Sequence, residues 1–73
     1  MPAHTYTQLD LVGTSTVGVE DAIRSCLRRA AQTVTNLDWF EVVQIRGRIA
    51  DGGVQEYQVE LKVGLRVLDP SER

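Results

Sequence analysis

The sequence predicts an α+β fold in the order β-α-β-β, with a three-stranded antiparallel sheet folded over a single helix. Three observations lead to this prediction. Apolar residues recur at spacings of three and four through the first half of the chain, as on one side of a helix. Apolar and polar residues alternate along the last third, as in a strand with one buried face. Asp51-Gly52-Gly53, between two strand-like segments, is typical of a hairpin turn because glycine accepts positive φ angles.

The first strand is predicted over residues 5–12, where Thr, Tyr, Leu and Val suit a pleated, half-buried surface. Residues 1–4 show no periodic pattern, so we expect a flexible start. Gly13-Thr14-Ser15-Thr16 then breaks the alternation, and we predict Ser15 as the helix N-cap because its hydroxyl can accept from a free backbone N–H. Such a turn can also bind phosphate, but it lacks a GxGxxG or Walker pattern, which favours capping.

The helix is predicted over residues 16–36, with Asn36 as its stop. Glu20 and Arg24 form a favourable i,i+4 pair on its solvated side. Cys26 is the only cysteine, so it forms no disulfide within the chain, and its place among apolar residues favours a small core residue over a nucleophile. One apolar stripe runs along the helix and consists of Val19, Ala22, Ile23, Cys26, Leu27, Ala30, Val34 and Leu37.

Two long strands follow, over residues 39–49 and 54–67. In the first of them the apolar residues change parity, so either a bulge changes the face or both faces are partly covered. The strand over residues 54–67 alternates cleanly. It is predicted to pair with residues 39–49 along one edge and with the strand over residues 5–12 along the other. Asp69-Pro70 ends this strand, and Ser71-Glu72-Arg73 is predicted to be a polar tail. The apolar face of the last strand consists of Tyr57, Val59, Leu61, Val63, Leu65 and Val67.

We expect the 73 residues to form one domain, residues 1–73, with an ordered core from about 5 to 67 and short flexible termini. A chain this short buries only about 60% of its unfolded surface. Disulfides cannot stabilise it, and with His4 as the only histidine we predict no metal site. One helix covers only part of the apolar face of two long strands. The remainder is therefore expected to meet another copy of the chain.

Composition also excludes several classes of function. The formal charge of −2 argues against nucleic acid as a partner, and no apolar run approaches the length of a membrane span. We therefore expect a cytoplasmic protein. No Ser-His-Asp set is present and the acidic residues are scattered singly, so the residues do not predict an enzyme.

Trp39 is the only tryptophan, and it lies beside the only phenylalanine at the start of the second strand. Two interpretations are open. In the first, the indole packs under the helix or at a subunit interface, as tryptophan side chains are usually well buried. In the second, it stacks on a flat ligand, and nearby arginines bind the phosphate of that ligand.

Four segments in register resemble the dodecins, a family of small flavin-binding proteins. The central one is Leu37-Asp38-Trp39-Phe40-Glu41-Val42 with Ile45-Arg46-Gly47 behind it, and the others are Leu11-Val12-Gly13-Thr14-Ser15, Ala30-Ala31-Gln32-Thr33 and Glu56-Tyr57-Gln58-Val59. The resemblance implies a hollow homododecamer with helices outward. It also implies that FMN or riboflavin is stored at subunit interfaces in stacked pairs between tryptophans, which quench flavin photochemistry without turnover.

The same resemblance implies roles for individual residues. Trp39 would stack on the isoalloxazine ring and Gln58 would bind its polar edge. Without the resemblance, Gln58 would be interpreted as an ordinary exposed glutamine on a strand. Arg46 would bind the phosphate of FMN, or else pair with a glutamate across the strands. By the same resemblance, Gln44 would lie near the ribityl chain, at a position where related sequences often carry an acidic residue. Arg66, with the arginines of the outer helix face, is a candidate for a second phosphorylated ligand such as coenzyme A.

Two alternatives to flavin storage remain at this point. One is a structural or interaction oligomer in which Trp39 only seals an interface, and the other is an oligomeric flavoenzyme with an open substrate position beside the flavin.

Overall fold

A computed structural model describes residues 3–72, and its strands and helix follow the predicted order β-α-β-β. The three strands form one antiparallel sheet in the spatial order β1-β3-β2, so the predicted return of the first strand beside the third is confirmed. Met1 and Pro2 of the predicted flexible start, and Arg73 of the polar tail, lie outside the described residues. The elements are β1 Tyr6–Ser15, α1 Val19–Ala30, β2 Leu37–Ala50, β3 Gly53–Arg66 and a short 3-10 helix, Pro70–Glu72.

The core lies between α1 and β3, the central strand. Val59, Leu61 and Val63 are at most 1% exposed and pack with Ala22 of the helix, which is fully buried. These three residues are the centre of the cleanly alternating segment, so the predicted inward face of the last strand is confirmed. Partly buried apolar residues surround this cluster, namely Leu11, Val19, Ile23, Cys26, Leu27 and Leu37.

The helix begins three residues later than predicted, and Ser15 is not its N-cap. Ser15 belongs to β1, which is longer than predicted, and its Oγ accepts from the backbone N–H groups of Val17 (2.9 Å) and Gly18 (3.3 Å). The same hydroxyl donates to Oδ2 of Asp21 (2.7 Å). Gly18 takes the N-cap position and forms no side-chain capping bond. Ser15 therefore fixes the turn between β1 and α1 rather than the first helical turn.

Gly13 lies within β1, and its lack of a side chain lets the helix rest directly on the strand. A Cβ atom at Gly13 would lie only 2.7 Å from the Cβ of Cys26 and would also meet the backbone carbonyl of Ala22. The glycine thus marks a close approach of two elements, not a turn.

The helix also ends six residues before the predicted stop. It finishes at Ala30, after the basic pair Arg28 and Arg29. The following run of Thr33, Val34 and Thr35 is β-branched and loses side-chain freedom in a helix, which favours an extended chain. Val34 and Leu37 were therefore wrongly assigned to the helical stripe.

Asn36, the predicted stop, instead turns the chain into β2. Its φ angle is +57°, and its carbonyl accepts from the N–H of Arg66 (3.1 Å) while its side-chain amide donates to the Arg66 carbonyl. The start of β2 is in this way tied to the end of β3.

Bulges in β2 explain its change of parity. The pairing with β3 shifts register at Leu37/Trp39 and Val42/Gln44, where β2 has one extra residue, and at Arg48/Ile49, where the extra residue is in β3. The two shifts within β2 confirm the bulged alternative for this strand. The middle shift places Phe40, Val42 and Ile45 on the helix side of the sheet and Gln44 and Arg46 on the other side. The hairpin turn is also confirmed, with φ angles of +52° at Asp51 and +76° at Gly52.

One helix leaves much of the sheet uncovered. α1 packs against β1 and β3, so Phe40, Val42 and Ile45 of β2 remain between 39% and 55% exposed although they face the helix side. The chain is correspondingly elongated, measuring 54 × 21 × 15 Å. Within residues 3–72, α1 is too short and too polar to cross a membrane.

Candidate functional site

The residues with candidate roles lie on the open face, which we define as the surface of the sheet turned away from α1. It is formed by the residues that alternate with the core-facing ones. In the register of β2 with β3, Trp39 lies opposite Gly64, Gln44 opposite Glu60, and Arg46 opposite Gln58. All four predicted flavin-site residues thus share one surface.

Trp39 lies across β3 because Gly64 has no side chain. A Cβ atom placed on Gly64 would be 2.5 Å from the indole Nε1 and closer still to Cε2 and Cζ2. Trp39 is nevertheless 36% exposed. One side of the ring is therefore supported by the strand while another part remains accessible. The tryptophan is the third residue of β2, not the first residue of the strand as predicted.

Tyr6 and Asp38 lie beside Trp39, and we call these three residues the aromatic corner. The ring centroids of Tyr6 and Trp39 are 6.1 Å apart with their planes tilted by 56°, a geometry that aromatic pairs favour. The hydroxyl of Tyr6 donates to Oδ2 of Asp38 (2.7 Å), and this hydrogen bond, helped by desolvation and by the carboxylate charge, raises the pKa of Tyr6. Arg66 opposes that shift with its positive charge. Trp39 is thus held between β3 below and Tyr6 at its edge.

A polar network occupies the other end of the open face. Nε of Arg46 donates to Oε1 of Gln58 (3.1 Å), and Nη1 donates to Oε1 of Gln44 (3.3 Å) and of Glu60 (3.3 Å). Nε2 of Gln58 donates to Glu56 (2.9 Å). The structure therefore brings Arg46, Gln44 and Gln58 together. It also confirms the predicted alternative for Arg46, a cross-strand ion pair, with Glu60 as its partner.

Trp39 does not join that network within one chain. Gly64, beneath the indole, lies six residues along β3 from Gln58, which corresponds to about 20 Å at 3.3 Å per residue. A tricyclic ring stacked on Trp39 is too short to reach the Gln58 amide of the same chain. If one ligand uses both groups, they come from two copies.

Arg66 lies at the end of β3 beside the aromatic corner. It is opposite Tyr6 in the strand register, and its Nη1 is 3.5 Å from Nδ1 of His4. The arginines of α1 lie on the other side of the sheet. One chain therefore does not bring Arg66 and the outer helix arginines together, although they were predicted to share a phosphorylated ligand.

Cys26 behaves as the sequence predicted. It packs against the core cluster, and burial raises the pKa of its thiol, which favours the neutral form. An open groove of about 360 Å³ runs beside it between β1 and α1 and includes Ser25 and Arg29. Within residues 3–72, no three His, Cys, Asp or Glu side chains gather in an arrangement that could hold a metal ion.

The sequence reasoning missed Gly64, Tyr6 and Asp38 as parts of the site. An isolated glycine inside the cleanest strand was the available signal, because it indicates a close approach of another group. Tyr6 and Asp38 gave no comparable signal, since their contact joins residues 32 positions apart.

Comparison with known proteins gives a consistent result. The family model described as Dodecin matches residues 5–68. A dodecin from Thermus thermophilus is 55% identical over 62 residues, which is 85% of this chain and 90% of that protein. The solved structure of dodecin from Streptomyces coelicolor superimposes with a TM-score of 0.88 at 51% identity, covering 94% of this chain and 99% of that one.

A more distant similarity extends to a calcium dodecin. The crystal structure of this calcium-chelating antigen from Mycobacterium tuberculosis, described with a novel calcium-binding site, gives a TM-score of 0.76 at 25% identity. It covers 94% of this chain and 97% of that one.

Proposed function

This chain belongs to the dodecin family, and we propose that it stores and buffers FMN or riboflavin. In this proposal, flavins bind as stacked pairs between the Trp39 side chains of neighbouring subunits in a homododecamer. The single observation that carries it is the placement of Trp39, whose indole lies against the strand at Gly64 while the residue is still 36% exposed. A core tryptophan would have no accessible face, whereas a stacking residue needs one rigid support and one free side.

The separation of the two halves of the site supports a partner copy. Trp39 and Gln58 are about 20 Å apart along one sheet, so a ring that contacts both requires two chains. The apolar strip of Phe40, Val42 and Ile45 also lacks cover within one chain. Burying it against a second copy stabilises the assembly by about 25 cal/mol for each Å² of apolar surface removed from water. The apolar strip lies on the helix side of the sheet and the ligand residues lie on the open face, so both faces of the sheet contribute to the proposed assembly.

The polar network fits the remaining parts of a flavin. The Gln58 amide offers a donor and an acceptor to the polar ring edge, and Arg46 offers a guanidinium to a phosphate. Gln44 accepts a hydrogen bond from Arg46, and in this proposal its neutral amide would lie near the ribityl chain. These residues fit FMN. They also fit riboflavin, in which case Arg46 keeps its ion pair with Glu60.

The proposed role is binding without turnover. A bound flavin supplies a photoexcitable, redox-active ring. Trp39 is an electron-rich indole. When it stacks on the ring it can donate an electron to the excited flavin, which quenches the flavin fluorescence. A cytoplasmic location, and coenzyme A bound at Arg66, stay predictions.

A structural oligomer is the second candidate. The contact of Trp39 with Tyr6 and Gly64 favours it, because the same packing would suit an indole that only seals an interface. This candidate predicts a colourless protein that takes up no flavin.

Substitution of Trp39 tests the choice. Trp39→Ala should weaken FMN and riboflavin binding at least about tenfold, since stacking on one aromatic ring is worth about 1–3 kcal/mol, and should restore fluorescence to any flavin still bound. Trp39→Phe keeps a ring and should retain part of the affinity. Flavin titration and light scattering are measured on the same samples. Loss of the oligomer in both variants, or unchanged affinity and quenching in Trp39→Ala, would contradict the proposal.

A further inference from the structure

We propose that Glu60 sets the preference of this site between phosphorylated and unphosphorylated flavins. It does so by holding the Arg46 guanidinium and by placing a negative charge where the phosphate must bind. The inference rests on the proposed flavin-binding function and adds to it a residue that selects the ligand class.

Arg46 is not a free cation on the open face. Its Nη1 is shared between Oε1 of Glu60 and Oε1 of Gln44, both at 3.3 Å, while Nε is bound to Gln58 at 3.1 Å. No partner of Nη2 is found in the part of the chain that the structure describes. A phosphate that approaches Arg46 can therefore use Nη2 at once, but it gains a second, parallel hydrogen bond only by competing for Nη1 or Nε.

Competition with Glu60 affects phosphorylated flavins and not unphosphorylated ones. A phosphate monoester carries about −1.5 to −2 charges at neutral pH, so the Glu60 carboxylate both competes with it for Arg46 and repels it. Riboflavin has no phosphate, so neither effect applies to it. Arg46 and Glu60 are about one-third to two-fifths exposed, so solvent screening keeps the effect modest and sensitive to salt.

Gln44 offers a second, opposite test of the same reasoning. Among the described residues Glu60 is the one carboxylate within 4.0 Å of the Arg46 guanidinium, and Gln44 contacts the same Nη1 with a neutral amide. Glu60→Gln therefore raises the local charge by one unit, and Gln44→Glu lowers it by one unit at nearly the same place. Both replacements preserve the size of the side chain.

The experiment measures dissociation constants for FMN and riboflavin on the full chain and these two variants at matched ionic strength. Glu60→Gln should increase the preference for FMN over riboflavin by about two- to fivefold, and Gln44→Glu should decrease it by a similar factor. Both shifts should shrink as salt is raised. Glu20→Gln is the matched control, because it removes a carboxylate from another arginine pair, with Arg24 at 2.8 Å on α1, and should leave the ratio unchanged.

A readout without flavin completes the test. Inorganic phosphate is titrated into the flavin-free protein while NMR follows the guanidinium signals of Arg46, and Glu60→Gln should respond at lower phosphate concentration than the parent. Equal changes for FMN and riboflavin in Glu60→Gln, or ratios that stay constant across the charge series, would overturn the inference while leaving flavin storage intact. If the parent protein binds neither flavin, the proposed function fails as well.

Discussion

Gly64→Ala should displace Trp39 without disturbing the strand beneath it. The new methyl group would lie 2.5 Å from the indole Nε1 and closer to two ring carbons, whereas ordinary contacts between such atoms begin at about 3.5 Å. The ring must therefore retreat by at least about 1 Å. The backbone at Gly64 is not in the left-handed region, since Gly52 is the glycine with positive φ among the described residues. The substitution thus acts through the indole and not through backbone strain.

The cost should appear mainly in ligand binding. Trp39 is partly exposed and can swing outward, so we expect the stability loss to lie near the lower end of the 1–3 kcal/mol range for overpacking. Flavin affinity should fall by at least about tenfold, because stacking worth about 1–3 kcal/mol is lost. Near-ultraviolet circular dichroism of the flavin-free protein should also change, since Trp39 is the only tryptophan.

Two controls make this result specific. Gly53→Ala also adds a methyl group to β3, but the nearest atom is the Ala50 carbonyl at 4.0 Å, so flavin affinity should not change. In a Trp39→Ala background, Gly64→Ala should cause no further loss of flavin affinity, and a double-mutant cycle measures this. Equal flavin affinity and an unchanged tryptophan signal in Gly64→Ala would refute the placement of the indole over Gly64.

Three further predictions concern assembly, phosphate and pH. The protein should scatter light as a species far above its 8.1 kDa chain mass, and a monodisperse monomer at micromolar concentration would contradict the assembly argument. Arg46→Ala should weaken FMN more than riboflavin, by about 1.5–3 kcal/mol for a lost charged hydrogen bond, whereas equal losses would place Arg46 at the ring. The Asp38 hydrogen bond raises the pKa of Tyr6, so its stabilising effect is fully present below pH about 10, the unfolded value, and is lost as pH rises through the higher folded value. Asp38→Asn should lower that pKa in a phenolate absorbance titration, and an unchanged titration would argue against the bond.

The sequence predicted those parts of the fold that depend on local pattern. The alternation from Tyr57 to Leu65 identified the central strand and its buried face, and Asp51-Gly52 identified the hairpin. Helix length was predicted less well, because the apolar spacing continues past Ala30 through Val34 although the chain has already left the helix. Spacing alone does not distinguish a helical stripe from an extended segment that returns to the same core.

The candidate site was only half predictable for a related reason. Residue types and family resemblance selected Trp39, Gln58, Arg46 and Gln44, and the structure places them on one face. Their support depends on contacts between distant residues, such as the Trp39 indole over Gly64 and the Tyr6 hydroxyl on Asp38. The isolated Gly64 signals a close approach, but no local pattern identifies the partner, since these pairings arise only when β1 and β2 flank β3.

A mixing experiment tests whether each flavin site is shared between copies. Trp39→Ala removes the stacking ring and Gln58→Ala removes the edge-binding amide, and each variant alone should bind flavin poorly. If a site takes Trp39 from one copy and Gln58 from another, as their separation of about 20 Å requires, the two variants unfolded and reassembled together should regain tight binding. Random assortment of equal amounts leaves about one site in four with both residues intact. Each chain in the mixture carries one defect, so a site built within a single chain would regain nothing.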